Sequence, residues 1–423
     1  MGGARVYCAS RLFDGERFVE NGCVAVEAGR ILAAGPRGEV EAPRGAEEVW
    51  LGGRTLMPGL IDAHVHYTGL RSGDIIKESL LTPYATLVAR AIGDLERTLM
   101  AGYTTIVDAG GVIALQLKQA QAEGSIRAPR IVAAGYPVSQ TFGHGDTHFL
   151  PPEYVDPRTS RLTLAFTSLL CDGPSECRKA ARYALRLGAD FIKIFTTGGV
   201  VSQRDRPEYP QMTPEEIRAV VEEARRAGRF VHAHAEGLQG IVNALEAGVE
   251  VIAHAMYMDD HAAALAVERG AVVVPTLTIV DLITRAGEAA GLPDWALEKA
   301  REAQKAHVES IRRAYKAGVT LATGTDLFTA MGELNPYGMN SMEILLLVNE
   351  VGMEPREALQ AATKNAAKAA GLEGVTGQLK PGYKADIIAV KGDPEHDPTV
   401  LLGPENIDLV ILEGKTIKTP RED

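Results

Sequence analysis

The sequence predicts an α/β protein, a (β/α)8 TIM barrel with a small β-sandwich domain built from both chain termini. Three observations predict it. From Pro58 to about residue 371, apolar segments alternate with Ala-, Glu- and Arg-rich stretches of helical period, giving eight strand candidates in one run. Residues 1–57 read as short strands separated by turn signals such as Asp14-Gly15, and residues 372–423 return to the same texture. Polar residues also interrupt strands that burial on both faces should make continuously apolar. The expected organisation is a composite β unit of 1–57 with 372–423, and a barrel hydrolase domain of 58–371. An open doubly wound sheet is the bland alternative, but no GxGxxG follows the first strand as a Rossmann reading needs.

The strand candidates are LIDAHVH (60–66), TTIVDAG (104–110), RIVAAG (130–135), DFIKIF (190–195), RFVHAHA (229–235), VEVIAHA (249–255), AVVVPTL (271–277) and VTLATGTD (319–326). Helices between them carry end signals. Thr213 is placed to cap a helix with Pro214 at its first position, and Gly248 to close LQGIVNALEAG.

The polar interruptions are His64 and His66 in the first candidate strand, Lys193 in the fourth, His234 in the fifth, His254 in the sixth and Asp326 at the end of the eighth. Most fall at carboxyl ends, where barrel enzymes place their chemistry. Side chains two apart in a strand share a face, so His64 and His66 can reach one ion. A lone His-x-His is weak evidence, and the alternative for Lys193 is an internal ion pair with Asp190 or Asp108. Independent, satisfied core groups are a poor account of the whole set.

With MPGLIDAHVH (57–66), IKIFTTGGV (192–200), VHAHAEG (231–237), VIAHAMYMDD (251–260), TGTD (323–326) and GQLKPGYKADIIAV (377–390), the chain resembles the amidohydrolase superfamily over nearly its whole length. The resemblance is to its Xaa-Pro dipeptidase-like and imidazolonepropionase-like branch with a carboxylated lysine. It implies that His64, His66 and Asp326 bind one divalent ion, that His234 and His254 bind a second, and that carboxylated Lys193 bridges the two. Zinc heads the candidate ions, with manganese, iron and cobalt compatible with the same ligands. The implied nucleophile is a hydroxide shared by the ions. Asp326 would take its proton and pass it to the leaving nitrogen. His144, in the loop GHGDTHFL (143–150), would hydrogen-bond the scissile carbonyl or its oxyanion. His232 shares a face with His234 but lies further from the strand's end, so it is expected behind the ligands.

The expected activity is cleavage of an amide bond in a small peptide or N-acyl amino acid, Xaa-Pro dipeptides or dipeptides with a basic residue being the nearest guesses. A cyclic-amide hydrolase or deaminase is the enzymatic alternative, and a non-catalytic barrel scaffold is the other. Glu236, where peptidases of this branch often carry an aromatic or small residue, is positioned to meet a cation or a loop arginine. Arg204 and Arg206, in the loop GGVVSQRDRPEYP (198–210), and Tyr257 complete the substrate-contact candidates. That loop is expected to close over the substrate.

A net charge of −11 argues against nucleic acid or an anionic membrane as partner. No apolar run approaches the roughly 20 residues of a membrane span, and a cytoplasmic homo-oligomer acting on a small molecule or dipeptide is expected. Cys8, Cys23, Cys171 and Cys177 form no CxxC pair, which reads as thiols in a reducing compartment.

Overall fold

The computed structural model describes residues 3–160, 162, 164–330 and 334–420; residues 1–2 and 421–423 of the expected terminal unit lie outside these. Strands β1 (Arg5–Phe13), β2 (Phe18–Glu27), β3 (Arg30–Pro36) and β4 (Glu47–Pro58) come from the first segment. β15 (Ile387–Lys391), β16 (Ile407–Leu412) and β17 (Lys415–Lys418) come from the last. They join in one seven-stranded sheet of order β17-β16-β15-β4-β1-β2-β3. The two ends meet where β4 runs antiparallel to β15, Leu56 facing Ala389. Alternating apolar residues of both segments, including Leu12, Val24 and Leu56 with Ile387 and Leu409, form one buried cluster.

All four cysteines pair, which corrects the reading of free thiols. Cys8 is bonded to Cys23, its direct neighbour across the β1/β2 ladder, and Cys171 to Cys177 at the start of the helix Pro174–Arg186. Motif spacing has no means of seeing the first pair, because strand register brings it together. The cysteines therefore supply no argument for a reducing compartment. No helix among the described residues is long and apolar enough to cross a membrane.

The barrel strands are β5 (Leu60–Val65), β6 (Tyr103–Asp108), β7 (Arg130–Ala133), β8 (Val138–Ser139), β10 (Ile192–Phe195), β11 (Val231–Ala235), β12 (Val251–His254), β13 (Val272–Val274) and β14 (Thr320–Leu321). The third barrel strand is split. β7 pairs with β6, and the chain resumes as β8 to pair with β10, with a further short strand β9 (Leu169–Leu170) beside β8. The ring closes between the last strand and the first through Ala63 N–H to Thr323 O at 2.9 Å and Asp326 N–H to His64 O at 2.7 Å. Gly59 joins the terminal sheet to the barrel, and a Cβ there would lie 2.1 Å from Thr104 Oγ1, so only glycine fits. The helix signals hold: Thr213 caps Pro214–Arg226 in a capping box with Glu216, and Gly248 ends Leu238–Ala247 in the left-handed region.

Buried Asp62 locks this closure. Its carboxylate accepts from the Thr325 hydroxyl at 2.6 Å, from Asn340 Nδ2 at 2.7 Å and from the N–H groups of His64 and Thr325. The backbone carrying His64 is thereby tied to the backbone carrying Asp326.

Candidate active site

A cavity of about 650 Å³ opens at the carboxyl end of the barrel strands. His64, His66, Lys193, His234, His254 and Asp326 all line it, together with His144 and Glu236. Most of the remaining wall is apolar, including Ile75, Phe166, Met256, Ile279 and Trp295.

His66 Nε2 lies 3.1 Å and His64 Nε2 3.4 Å from Asp326 Oδ1, and Lys193 Nζ lies 3.3 Å from His64 Nε2. The rings of His234 and His254 are 4.5 Å apart, and those of His64 and His254 5.1 Å. Two ligand groups are within metal-binding reach, His64 with His66 and Asp326, and His234 with His254 and Glu236. Lys193 stands between them in the sequence of barrel strands, on β10.

The partners behind the histidines test whether this set fits metal ions. His66 Nδ1 donates to Gly110 O at 2.7 Å, which turns Nε2 toward Asp326. His234 Nε2 donates to Gly198 O at 2.9 Å, leaving Nδ1 bare. His254 Nδ1 meets Thr276 Oγ1 at 2.7 Å, and His64 Nδ1 meets His232 Nε2 at 3.0 Å. Such outward hydrogen bonds fix the tautomer and aim the other nitrogen inward, as the supporting shell of a metal site does. His232 thus lies behind His64, off the cavity wall, as expected from its place in the strand.

Electrostatics favour neutral imidazoles at three of the four positions, whereas at His66 burial is outweighed by the hydrogen bond and charge of Asp326, which raise the ring above the ordinary histidine value. Burial pushes His64, His234 and His254 well below the ordinary histidine range, with positive neighbours adding to the effect. Burial also brings the Lys193 ammonium down to about 7, against the pull of Asp326, Glu236 and Asp108. Neither alternative ion-pair partner takes Lys193: Asp190 binds Lys118 at 2.5 Å, and Asp108 accepts the N–H groups of Tyr67 and Gly110. For Asp326, burial is outweighed by the His66 hydrogen bond and the charges of His254, His66 and Lys193, which hold its carboxyl down to about 2. It is therefore an ionised acceptor at neutral pH.

Two of these residues sit on strained backbone. His254 has φ 70° and Asp326 φ 55°, and Thr276, which supports His254, has φ 57°. Non-glycine residues in the left-handed region cost about 1–3 kcal/mol each and concentrate at functional sites.

His144 reaches the same centre from the loop after β8. Its ring stacks on His234 at 4.2 Å, and its Nδ1 lies 2.8 Å from Ser202 Oγ, which bonds in turn to Asp205. Gln211 links the two ends of this chain by accepting the His144 N–H and donating to Asp205 Oδ2. A Cβ on Gly199 would lie 2.4 Å from the His144 ring, so glycine lets loop and ring pack.

The loop 198–210 was expected to move over the substrate, but it is already a fixed wall of the cavity. Lys299, from the helix Asp294–Lys316, donates to the carbonyls of Gly199, Ser202 and Asp205 at 3.0, 2.6 and 2.6 Å. Replacing Lys299 by methionine is expected to destabilise the fold by about 1–3 kcal/mol, because three buried carbonyls lose their donor. Misplacing Ser202 and His144 is expected to lower kcat/KM on the order of tenfold. Thermal unfolding and steady-state kinetics on the same preparation check both.

Three substrate-contact expectations do not reach the cavity. Arg206 is half-exposed and pairs with Glu302 at 3.0 Å, Arg204 is exposed, and Tyr257 contributes its N–H to Glu236 O from outside the lining. A loop charge run has no sequence signal for which of its members turns inward. Glu236 does: its side chain is buried against the cavity, and its N–H donates to Thr197 Oγ1 at 2.9 Å. Burial, with like charge from Asp205 and Asp326, pushes its carboxyl well above the usual range. Sequence reasoning missed Asp62, Ser202, Asp205, Thr276 and Lys299, whose types are ordinary in turns and helices and whose roles depend on distant partners.

Fold and site together define a barrel hydrolase. An amidohydrolase family model matches residues 55–417, and the chain belongs to this family. It is a hydrolase acting on amide bonds. It is 36% identical to an ochratoxinase of Aspergillus niger over 377 residues, covering 86% of this chain and 76% of that one. The crystal structure of the A. niger ochratoxinase superposes with a TM-score of 0.91 at 32% identity, covering 99% and 97% of the two chains. A prolidase complexed with N-methylphosphonate-L-proline gives a TM-score of 0.89 at 31% identity over 99% and 100%. An imidazolonepropionase of Rhizorhabdus wittichii is 30% identical over 414 residues, covering 88% of this chain and 89% of that one.

Proposed function

We propose that the protein is a binuclear metal-dependent hydrolase that cleaves the amide bond of a small peptide or N-acyl amino acid with apolar side chains. The observation that carries this reading is the inward convergence of three buried imidazoles, the partly buried His66, one carboxylate and one lysine on the floor of an apolar-walled cavity. His64, His66 and Asp326 would hold one divalent ion and His234 and His254 the other, with Lys193 between them as a carbamate. Zinc suits this mixed nitrogen and oxygen set. When bound, the ions would lower the pKa of water toward neutrality and polarise the scissile carbonyl.

The remaining steps belong to the chain. Asp326 accepts the proton of the attacking water and carries it to the leaving nitrogen, so amide nitrogen departs as a neutral amine. His144, held by Ser202 and Asp205, faces the developing oxyanion. The apolar wall holds the substrate's side chains and excludes water from this region. The ochratoxinase and the prolidase complexed with N-methylphosphonate-L-proline among the similar proteins accord with an amide-bond substrate.

Elemental analysis before and after dialysis against a chelator, with hydrolysis of a library of dipeptides and N-acyl amino acids followed in parallel, tests the proposal. About two ions per chain are expected, their removal abolishing hydrolysis and their return restoring it. A single ion, with no turnover of acyclic amides and turnover of cyclic amides or release of ammonia, would move the chain to the imidazolonepropionase-like reading.

A further inference from the structure

We propose that Glu236 is the specificity residue for a positively charged amine on the substrate, so that the preferred substrates are dipeptides with a free α-ammonium and not N-acylated amino acids. The inference rests on the amide-hydrolase reading for the orientation of the substrate.

The Glu236 side chain is 4% exposed, and its Oε2 has no hydrogen-bond partner. Buried polar atoms are nearly always paired, and a carboxylate left without a donor in an apolar surround is costly. The residue lines the cavity, so the missing donor has a route by which to arrive.

The protein supplies no cation at this oxygen. Lys299 is near, but its ammonium is committed to the carbonyls of Gly199, Ser202 and Asp205. His234 Nε2 lies 3.8 Å from Glu236 Oε1 and donates instead to Gly198 O at 2.9 Å. Of the loop arginines, Arg206 is turned out to Glu302 and Arg204 is exposed. The other charges facing Glu236 are Asp205 and Asp326, both negative, and Lys193, which as the proposed carbamate carries no positive charge. An incoming ammonium would relieve that repulsion as well as fill the vacant hydrogen bond.

Position selects the α-ammonium over a basic side chain. Glu236 is two residues beyond His234, just past the end of β11, beside the ring against which His144 stacks. An α-ammonium is two bonds from the scissile carbonyl carbon of a dipeptide and stays close to that centre. A lysine or arginine side chain would carry its charge several bonds further off. The orientation of His234 also separates this role from metal binding, since its Nε2 faces Glu236 and the Gly198 carbonyl and its Nδ1 is left for an ion.

The test compares wild type and Glu236→Gln, metal-loaded, on leucyl-leucine and N-acetyl-leucyl-leucine. Calorimetric binding of L-leucine and N-acetyl-L-leucine, and metal content, are measured on the same samples. Wild type is expected to favour the free amine in both kcat/KM and binding, and Glu236→Gln to reduce that preference on the order of 30-fold or more, with metal content unchanged. Equal loss on both members of each pair, or loss of an ion from the variant, overturns the inference and makes Glu236 a structural or metal-holding group. If wild type hydrolyses neither dipeptide, the amide-hydrolase reading fails separately. The binding preference for L-leucine, and its loss in Glu236→Gln, then still decides the role of the carboxylate.

Discussion

Lys193→Ala is expected to lose one or both metal ions and to lower amide hydrolysis on the order of 10³-fold or more, since the loss removes activation of the attacking water. Lys193 stands on β10 between the two ligand groups, 3.3 Å from His64 Nε2, and neither Asp190 nor Asp108 engages it. Burial lowers its amine to about 7, so a neutral fraction that can react with carbon dioxide is present at neutral pH. The side chain is buried, and its removal also leaves a cavity that weakens the fold. Chemical rescue separates the two effects. A short carboxylate such as propionate fits the space left by the side chain and offers two oxygens, as a carbamate does. Partial recovery of metal content and rate with propionate would support the bridging role. Full metal content and undiminished activity in Lys193→Ala would remove it, and the lysine would then be a packing residue.

The barrel and the group of polar side chains gathered at its mouth were legible in the sequence because both rest on local pattern. Histidines in otherwise apolar strands break a burial rule that needs only strand assignment, and alternation then says that His64 and His66 share a face. Strand direction, which puts His232 further from the carboxyl end than His234, placed it behind the site, where it meets His64 Nδ1. What stayed illegible depends on contacts between distant segments. Lys299 is one of several lysines on a long amphipathic helix, and nothing in its neighbours says that it turns inward onto a loop about a hundred residues earlier. Asp62 is a lone carboxylate within β5 whose partners are not visible until barrel closure brings Thr325 and Asn340 to it. The Cys8–Cys23 pair is set by hairpin register, and the splitting of the third barrel strand into β7 and β8 is a matter of tertiary pairing that periodicity does not encode.

Asp326→Asn is expected to lower kcat by about 10²- to 10⁴-fold, the usual contribution of a positioned proton carrier, with a much smaller change in KM. The substitution is nearly isosteric, and asparagine is among the residues that best tolerate the left-handed backbone found here at φ 55°. The hydrogen bond from the Asp326 N–H to His64 O, which helps close the barrel, is a backbone interaction and survives the change. What is lost is negative charge and basicity. The wild-type carboxyl, held down to about 2 by His66 and the neighbouring positive charges, is ionised throughout the range in which the enzyme would work, whereas an amide cannot accept the proton. An asparagine oxygen can still contact an ion, so metal content should fall less than it does in Lys193→Ala. A low kcat at nearly full metal content therefore assigns Asp326 to proton transfer. Loss of the ion in step with activity would make it a ligand alone, and kcat within tenfold of wild type with both ions in place would require another residue to carry the proton.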